Sequence, residues 1–151
     1  MHSDKNITSK PQLEFYSIVT DTEPCIPVME SKVHAGFPCP VDDAYMSQPI
    51  DLNKELIKNP ATSYIVRVIG DSMIEEGIDE GDLLVVDRSR YPAEKNIAVC
   101  MVDGEFALKR IVQKDGQIYL QSGNSKYKPI IIRNPDELQV FGVVRWVLKK
   151  K

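Results

Sequence analysis

Two Asp-Gly dipeptides, Asp103-Gly104 and Asp115-Gly116, each lie between two runs of apolar and β-branched residues. A two-residue hairpin turn needs positive φ at both central positions, which Asp-Gly meets at little steric cost. The first dipeptide therefore joins a strand over Ile97–Val102 to one over 105–112, and the second leads into a strand over Gln117–Gln121. Tyr64-Ile65-Val66-Arg67-Val68-Ile69 and Leu83-Leu84-Val85-Val86 read as strands too, as do 127–132 and 138–148. Six or seven strands at short intervals make the body mainly β, a barrel or folded sheet. One short helix is expected over 51–58. Asp51 can cap it, Leu52, Leu56 and Ile57 form an apolar face, and Pro60 ends it.

A chain of 151 residues fits one domain. Its net charge of −3 and pI of about 5.4 do not suit a protein whose main surface grips DNA or RNA. No apolar run nears the roughly 20 residues that span a bilayer, and the first ten residues lack the apolar stretch of a secretory signal. Three scattered cysteines, Cys25, Cys39 and Cys100, suit a reducing cytoplasm better than a disulfide framework. The only histidines are His2 and His34, so a His-dependent nucleophile cannot be built within the body. With no CxxC or HxxxH spacing, neither a metal nor another cofactor is expected. Acid–base chemistry near neutral pH then falls to a carboxylate, a Tyr or a Lys of shifted pKa.

The first 49 residues hold six of the ten prolines and one glycine, Gly36. Proline removes a backbone donor and blocks regular helix. Residues 1–35 read as an extended arm with a single apolar patch, Phe15-Tyr16-Ser17-Ile18-Val19, that suits one strand. The arm is too short for a three-helix DNA-binding domain.

Two positions in the body can carry chemistry. In Gly70-Asp71-Ser72-Met73 a strand ends, and Met73-Ile74-Glu75-Glu76 forms one turn that Gly77 closes. Ser72 then stands at a turn start where backbone N–H groups are free, the parts of an oxyanion hole. An ordinary N-cap serine fits the same pattern. Lys109 lies in Phe106-Ala107-Leu108-Lys109-Arg110-Ile111-Val112, a strand with apolar residues on both faces. Burial lowers a lysine pKa because it disfavours the charged form, and a neutral lysine can take a serine proton. A lysine snorkelling from a sheet edge is the plainer alternative.

Taken in order, Gly36-Phe37-Pro38, Ile50-Asp51-Leu52-Asn53, Gly70-Asp71-Ser72-Met73, Gly81-Asp82-Leu83-Leu84-Val85-Val86-Asp87, Asp103-Gly104-Glu105-Phe106, Lys109 and Val140-Phe141-Gly142-Val143-Val144 resemble the UmuD branch of the LexA/UmuD self-cleaving serine peptidases. The resemblance runs over 35–149 and leaves the first 34 residues unmatched. It implies a LexA/UmuD-like β-barrel-type sheet with one short helix and an extended N-terminal arm. It also implies a division into an arm, 1–35, that self-cleavage removes and a peptidase body, 36–151.

The resemblance makes Ser72 the nucleophile, Lys109 the general base, and backbone N–H groups near Asp71 and Ser72 the oxyanion donors. The cut would fall between Ala35 and Gly36, a small residue and a glycine flanked by prolines at 24, 27, 38 and 40. It further implies a homodimer, a UmuC-type polymerase subunit as partner, and a RecA–single-stranded DNA filament as activator. Neither sequence-specific DNA binding nor a membrane is implied, and the setting is cytoplasmic. Two residues depart from the UmuD pattern: Ala35 stands where a cysteine is usual, and Cys39 where a serine is. A LexA- or phage-type repressor is the alternative role, disfavoured because no DNA-binding helices fit before Gly36. A silent interaction module is a third, disfavoured by the presence of both Ser72 and Lys109.

Overall fold

The structure is a computed structural model that describes residues 13–18, 25–29, 46–134 and 137–151. The chain divides into two compact units. One, Val19–Lys58, holds a two-stranded antiparallel sheet of β2 (Cys25–Met29) and β3 (Met46–Asp51), followed by the helix α1 (Leu52–Leu56). As expected, Asp51 caps that helix: its side chain accepts from the N–H groups of Asn53 at 3.0 Å and Lys54 at 3.3 Å.

The other unit joins the first 18 residues to Asn59–Lys151. It contains β1 (Leu13–Tyr16), β4 (Ser63–Val68), β5 (Leu83–Asp87), β6 (Ile97–Val102), β7 (Glu105–Lys114), β8 (Gln117–Gln121), β9 (Ile130–Ile132) and β10 (Gln139–Leu148). These form one eight-stranded antiparallel sheet in the order β1-β4-β5-β10-β6-β7-β8-β9. The mainly β expectation with one short helix holds.

Both Asp-Gly turns adopt the backbone that their sequence favours. Asp103 and Gly104 have φ of 51° and 79°, and Asp115 and Gly116 have 51° and 75°. That geometry matches the twist of the strands it joins and sets the register of β6 on β7, with Ala98 opposite Lys109 and Cys100 opposite Ala107. β6 and β7 are apolar on both faces because each face covers its own cluster. Val99 and Leu108 pack with Val66, Leu84 and Val86 in one. Ala98, Cys100, Ile111 and Leu120 form the other.

Two elements differ from the sequence reading. The strand expected over 127–132 begins only at Ile130; the Tyr127 N–H turns back to donate to Asn124 O at 3.1 Å. The N-terminal 35 residues carry two described strands rather than one, and β1 belongs to the main sheet. Among the described residues, no helix is long and apolar enough to cross a membrane.

Candidate active site

The segment after β4 makes a tight turn. Ile74–Glu76 forms a single turn of 3-10 helix, and Gly77 ends it in the left-handed conformation with its N–H donating to Ile74 O at 3.2 Å. The N-cap is Met73, without a side-chain cap bond, so Ser72 is not the cap serine that its local pattern allowed. The half-buried Ser72 precedes that position. Among the described residues, the Ser72 hydroxyl and the N–H groups of Asp71 and Ser72 have no hydrogen-bond partner. A serine oxygen beside free N–H donors can present a nucleophile and receive an oxyanion at one place.

The turn owes its position to the loop between β8 and β9. Asn124, only 3% exposed, donates from Nδ2 to Asp71 O at 2.8 Å. Tyr127 donates from its hydroxyl to Asp71 Oδ1 at 2.8 Å. Glu75 Oε1 accepts from Ser125 N–H at 3.0 Å, and Met73 Sδ accepts from Gly123 N–H at 3.1 Å. Gly123 is required by this approach: a Cβ there would stand 2.4 Å from Glu76 Cγ and 3.2 Å from Met73 Cα.

Lys109 reaches the same loop from the sheet. Its residue is 8% exposed, and Nζ donates to Ser122 Oγ at 2.6 Å. Nζ also lies 5.8 Å from the centre of the Tyr127 ring, the ring whose hydroxyl holds Asp71. The strand and the serine turn thus share one loop, although no hydrogen bond joins Lys109 to Ser72. Burial pulls the Lys109 pKa below the ordinary lysine value, opposed only by Cys100. Cys100 offers little counter-charge, because its own burial pushes the thiol up to about 11 and leaves it protonated near neutral pH. Among the described residues, no carboxylate pairs with Lys109. A lysine in this setting gives up its proton more readily than one in water, as a general base must.

Residues 27–145 match the family described as Peptidase S24-like. The chain belongs to this family. Protein SamA of Salmonella typhimurium is 41% identical over 124 residues, which cover 82% of this chain and 85% of that protein. Protein ImpA of Escherichia coli is 34% identical over 125 residues, covering 82% and 83%. Protein MucA of Escherichia coli is 32% identical over 121 residues, covering 79% and 81%. At family level, this chain is therefore a UmuD-like serine peptidase of the self-cleaving kind. The matched Peptidase S24-like span contains both Ser72 and Lys109.

The expected cleavage pair, Ala35 and Gly36, lies outside the described residues, as do His34 and Cys39. Ser122, Gly123, Asn124 and Tyr127 were not expected at the site. Ser122-Gly123-Asn124-Ser125 carries a loop signal, but loop composition says nothing of what the loop touches.

Proposed function

We propose that this Peptidase S24-like chain cuts its own Ala35–Gly36 bond with Ser72 as nucleophile and Lys109 as base. One observation carries the reading: Lys109 is a buried cation without a carboxylate partner among the described residues, anchored to the loop that holds the Ser72 turn. In its neutral form, Lys109 takes the Ser72 hydroxyl proton as Oγ attacks the Ala35 carbonyl carbon. The N–H groups of Asp71 and Ser72 receive the negative oxygen of the tetrahedral intermediate. The resulting Lys109 ammonium gives its proton to the departing Gly36 nitrogen. An acyl bond between Ala35 and Ser72 Oγ remains. Water then attacks that ester, Lys109 takes its proton and returns it to the departing Ser72 Oγ, and the bond to Oγ breaks to leave the Ala35 carboxyl group and the free Ser72 hydroxyl. To act, Nζ must turn from Ser122 toward Ser72, and a partner that binds the cutting conformer raises its share.

The UmuD-like relationship supports a cytoplasmic role in SOS mutagenesis. The processed chain would act as a homodimer and as accessory subunit of a UmuC-type translesion polymerase, after a RecA–single-stranded DNA filament promotes the cut. Incubation of the purified chain at alkaline pH should yield a fragment beginning at Gly36, read by mass spectrometry. Ser72→Ala and Lys109→Ala must each stay intact. Continued cutting in either overturns the dyad.

A further inference from the structure

β1 is part of the folded sheet and yet lies on the N-terminal side of the proposed cut. It occupies the sheet edge, pairing Leu13 with Val68, Glu14 with Arg67, Phe15 with Val66 and Tyr16 with Ile65. Alternation sends two of its side chains inward. Leu13 is buried in the main apolar cluster, and Phe15 packs against that cluster. The Phe15 ring centre lies 4.8 Å from that of Phe106 and 5.3 Å from that of Phe141, which are themselves 5.1 Å apart. Glu14 and Tyr16 face outward onto Arg67, with Glu14 3.9 Å from its guanidinium and the guanidinium 5.8 Å from the Tyr16 ring centre. Phe106 and Phe141 also line a cavity of about 360 Å³ with Arg88, Met101, Leu138 and Val140.

Four residues of edge strand form a small interface, one that depends on the tether. While the chain is whole, β1 is held near β4 at an effective concentration on the order of millimolar. Once the chain is cut at 35–36, β1 is an ordinary solute at the concentration of the protein. At about micromolar protein its effective concentration falls roughly a thousand-fold. Its loss leaves β4 as an unpaired strand edge beside two uncovered phenylalanine rings, an arrangement that captures extended peptides.

We propose that β1 is a tethered occupant of a strand-docking site on β4, and that self-cleavage opens this site to an extended segment of a partner protein. The partner chemistry is read from the occupant: an aliphatic residue, an acidic residue facing Arg67, then an aromatic that enters between Phe106 and Phe141. The proposal rests on the self-cleavage reading for its trigger, but the docking site can be tested without it.

A fluorescent peptide of residues 10–20 is titrated by anisotropy into three full-chain preparations: uncut, self-cut, and uncut carrying Phe15→Ser. The peptide should bind the Phe15→Ser and self-cut proteins at least ten-fold more tightly than the uncut chain. A peptide carrying the same Phe15→Ser change should lose that binding. Circular dichroism checks the fold, and Leu13→Ala replaces Phe15→Ser if that variant does not fold. Absence of the ten-fold gain in whichever variant folds overturns the proposal. Equal binding of the altered peptide also overturns it, as does self-association through the freed edge that excludes the peptide. If no cut ever forms, the self-cleavage reading fails while the uncut variant still decides the docking site. In a chain carrying Tyr16→Cys and Ile65→Cys, oxidation joins two paired residues. The cut form of that chain should bind the peptide only after reduction, and binding before reduction places it elsewhere and overturns the site.

Discussion

Lys109 and Arg110 are neighbours on β7 and stand on opposite faces of the sheet. Arg110 meets Glu76, with a bidentate contact to the carboxylate and a further bond to Lys95 O. The hydrogen bond between them pushes the Arg110 pKa up and the Glu76 pKa down, so both stay charged. Lys109 has a hydroxyl for a partner, and burial pushes its pKa the other way. The difference is one of surroundings. A guanidinium beside a carboxylate is a fixed charge that pins the Glu76 turn to the strand. An ammonium beside a serine and a protonated thiol is a charge the protein can release. One strand therefore carries, on adjacent residues, a clamp and a lysine whose charge burial disfavours.

Lys109→Arg puts a permanent cation where burial disfavours charge. An arginine cannot be deprotonated in a protein, so self-cleavage should fall at least about a thousand-fold at every pH from 7 to 10. An unpaired buried charge also costs about 3 kcal/mol or more, read as a lower urea midpoint. Cleavage by this variant that still rises with pH would mean that Lys109 is not the group that titrates.

Gly123→Ala tests the loop that the two faces share. The added Cβ meets Glu76 Cγ and the Met73 backbone, and such overpacking costs about 1–3 kcal/mol. Urea unfolding should show the loss, and self-cleavage should slow because the Ser72 turn must shift. Unchanged stability would mean that the contact relaxes freely.

Lys109→Met removes the releasable charge. Because burial depresses the folded pKa of Lys109, the unfolded chain binds more protons between that value and the ordinary lysine value. Its contribution to stability therefore rises with pH across that window. The variant should be more stable than the parent at pH 7, because it carries no charge for burial to disfavour. The advantage should shrink toward pH 10, measured as urea midpoints at each pH. A constant difference would show that packing, not protonation, separates the two proteins.

Glu76→Gln should have the smallest effect. The pair is about a quarter to a third exposed, so its loss is worth about 0.5–1 kcal/mol, more at low salt than at high. A larger loss would mean that this pair, rather than Asn124 and Tyr127, carries the turn.

Much of the sheet was legible because its signals are local. Asp-Gly turns and two-residue alternation depend on backbone sterics within a few residues, and β6 and β8 fall where those signals predict. Asp51 capped its helix for the same reason. Ser72 and Lys109 were legible as candidates through residue type and through the resemblance. Their neighbours were not. Ser122 is thirteen residues from Lys109, and Asn124 and Tyr127 lie 53 and 56 residues from Asp71, across a loop whose composition predicts exposure.

By itself the sequence determined a mainly β body, its hairpins, its short capped helix and its lack of a histidine after residue 34. These follow from interactions a few residues long or from residue counts. Only the tertiary structure decided that Ser72 is not a cap, that Lys109 is the buried partner of Ser122, and that β1 completes the sheet. Each of those depends on which distant segments exclude water from one another, and burial is a property of the assembled fold.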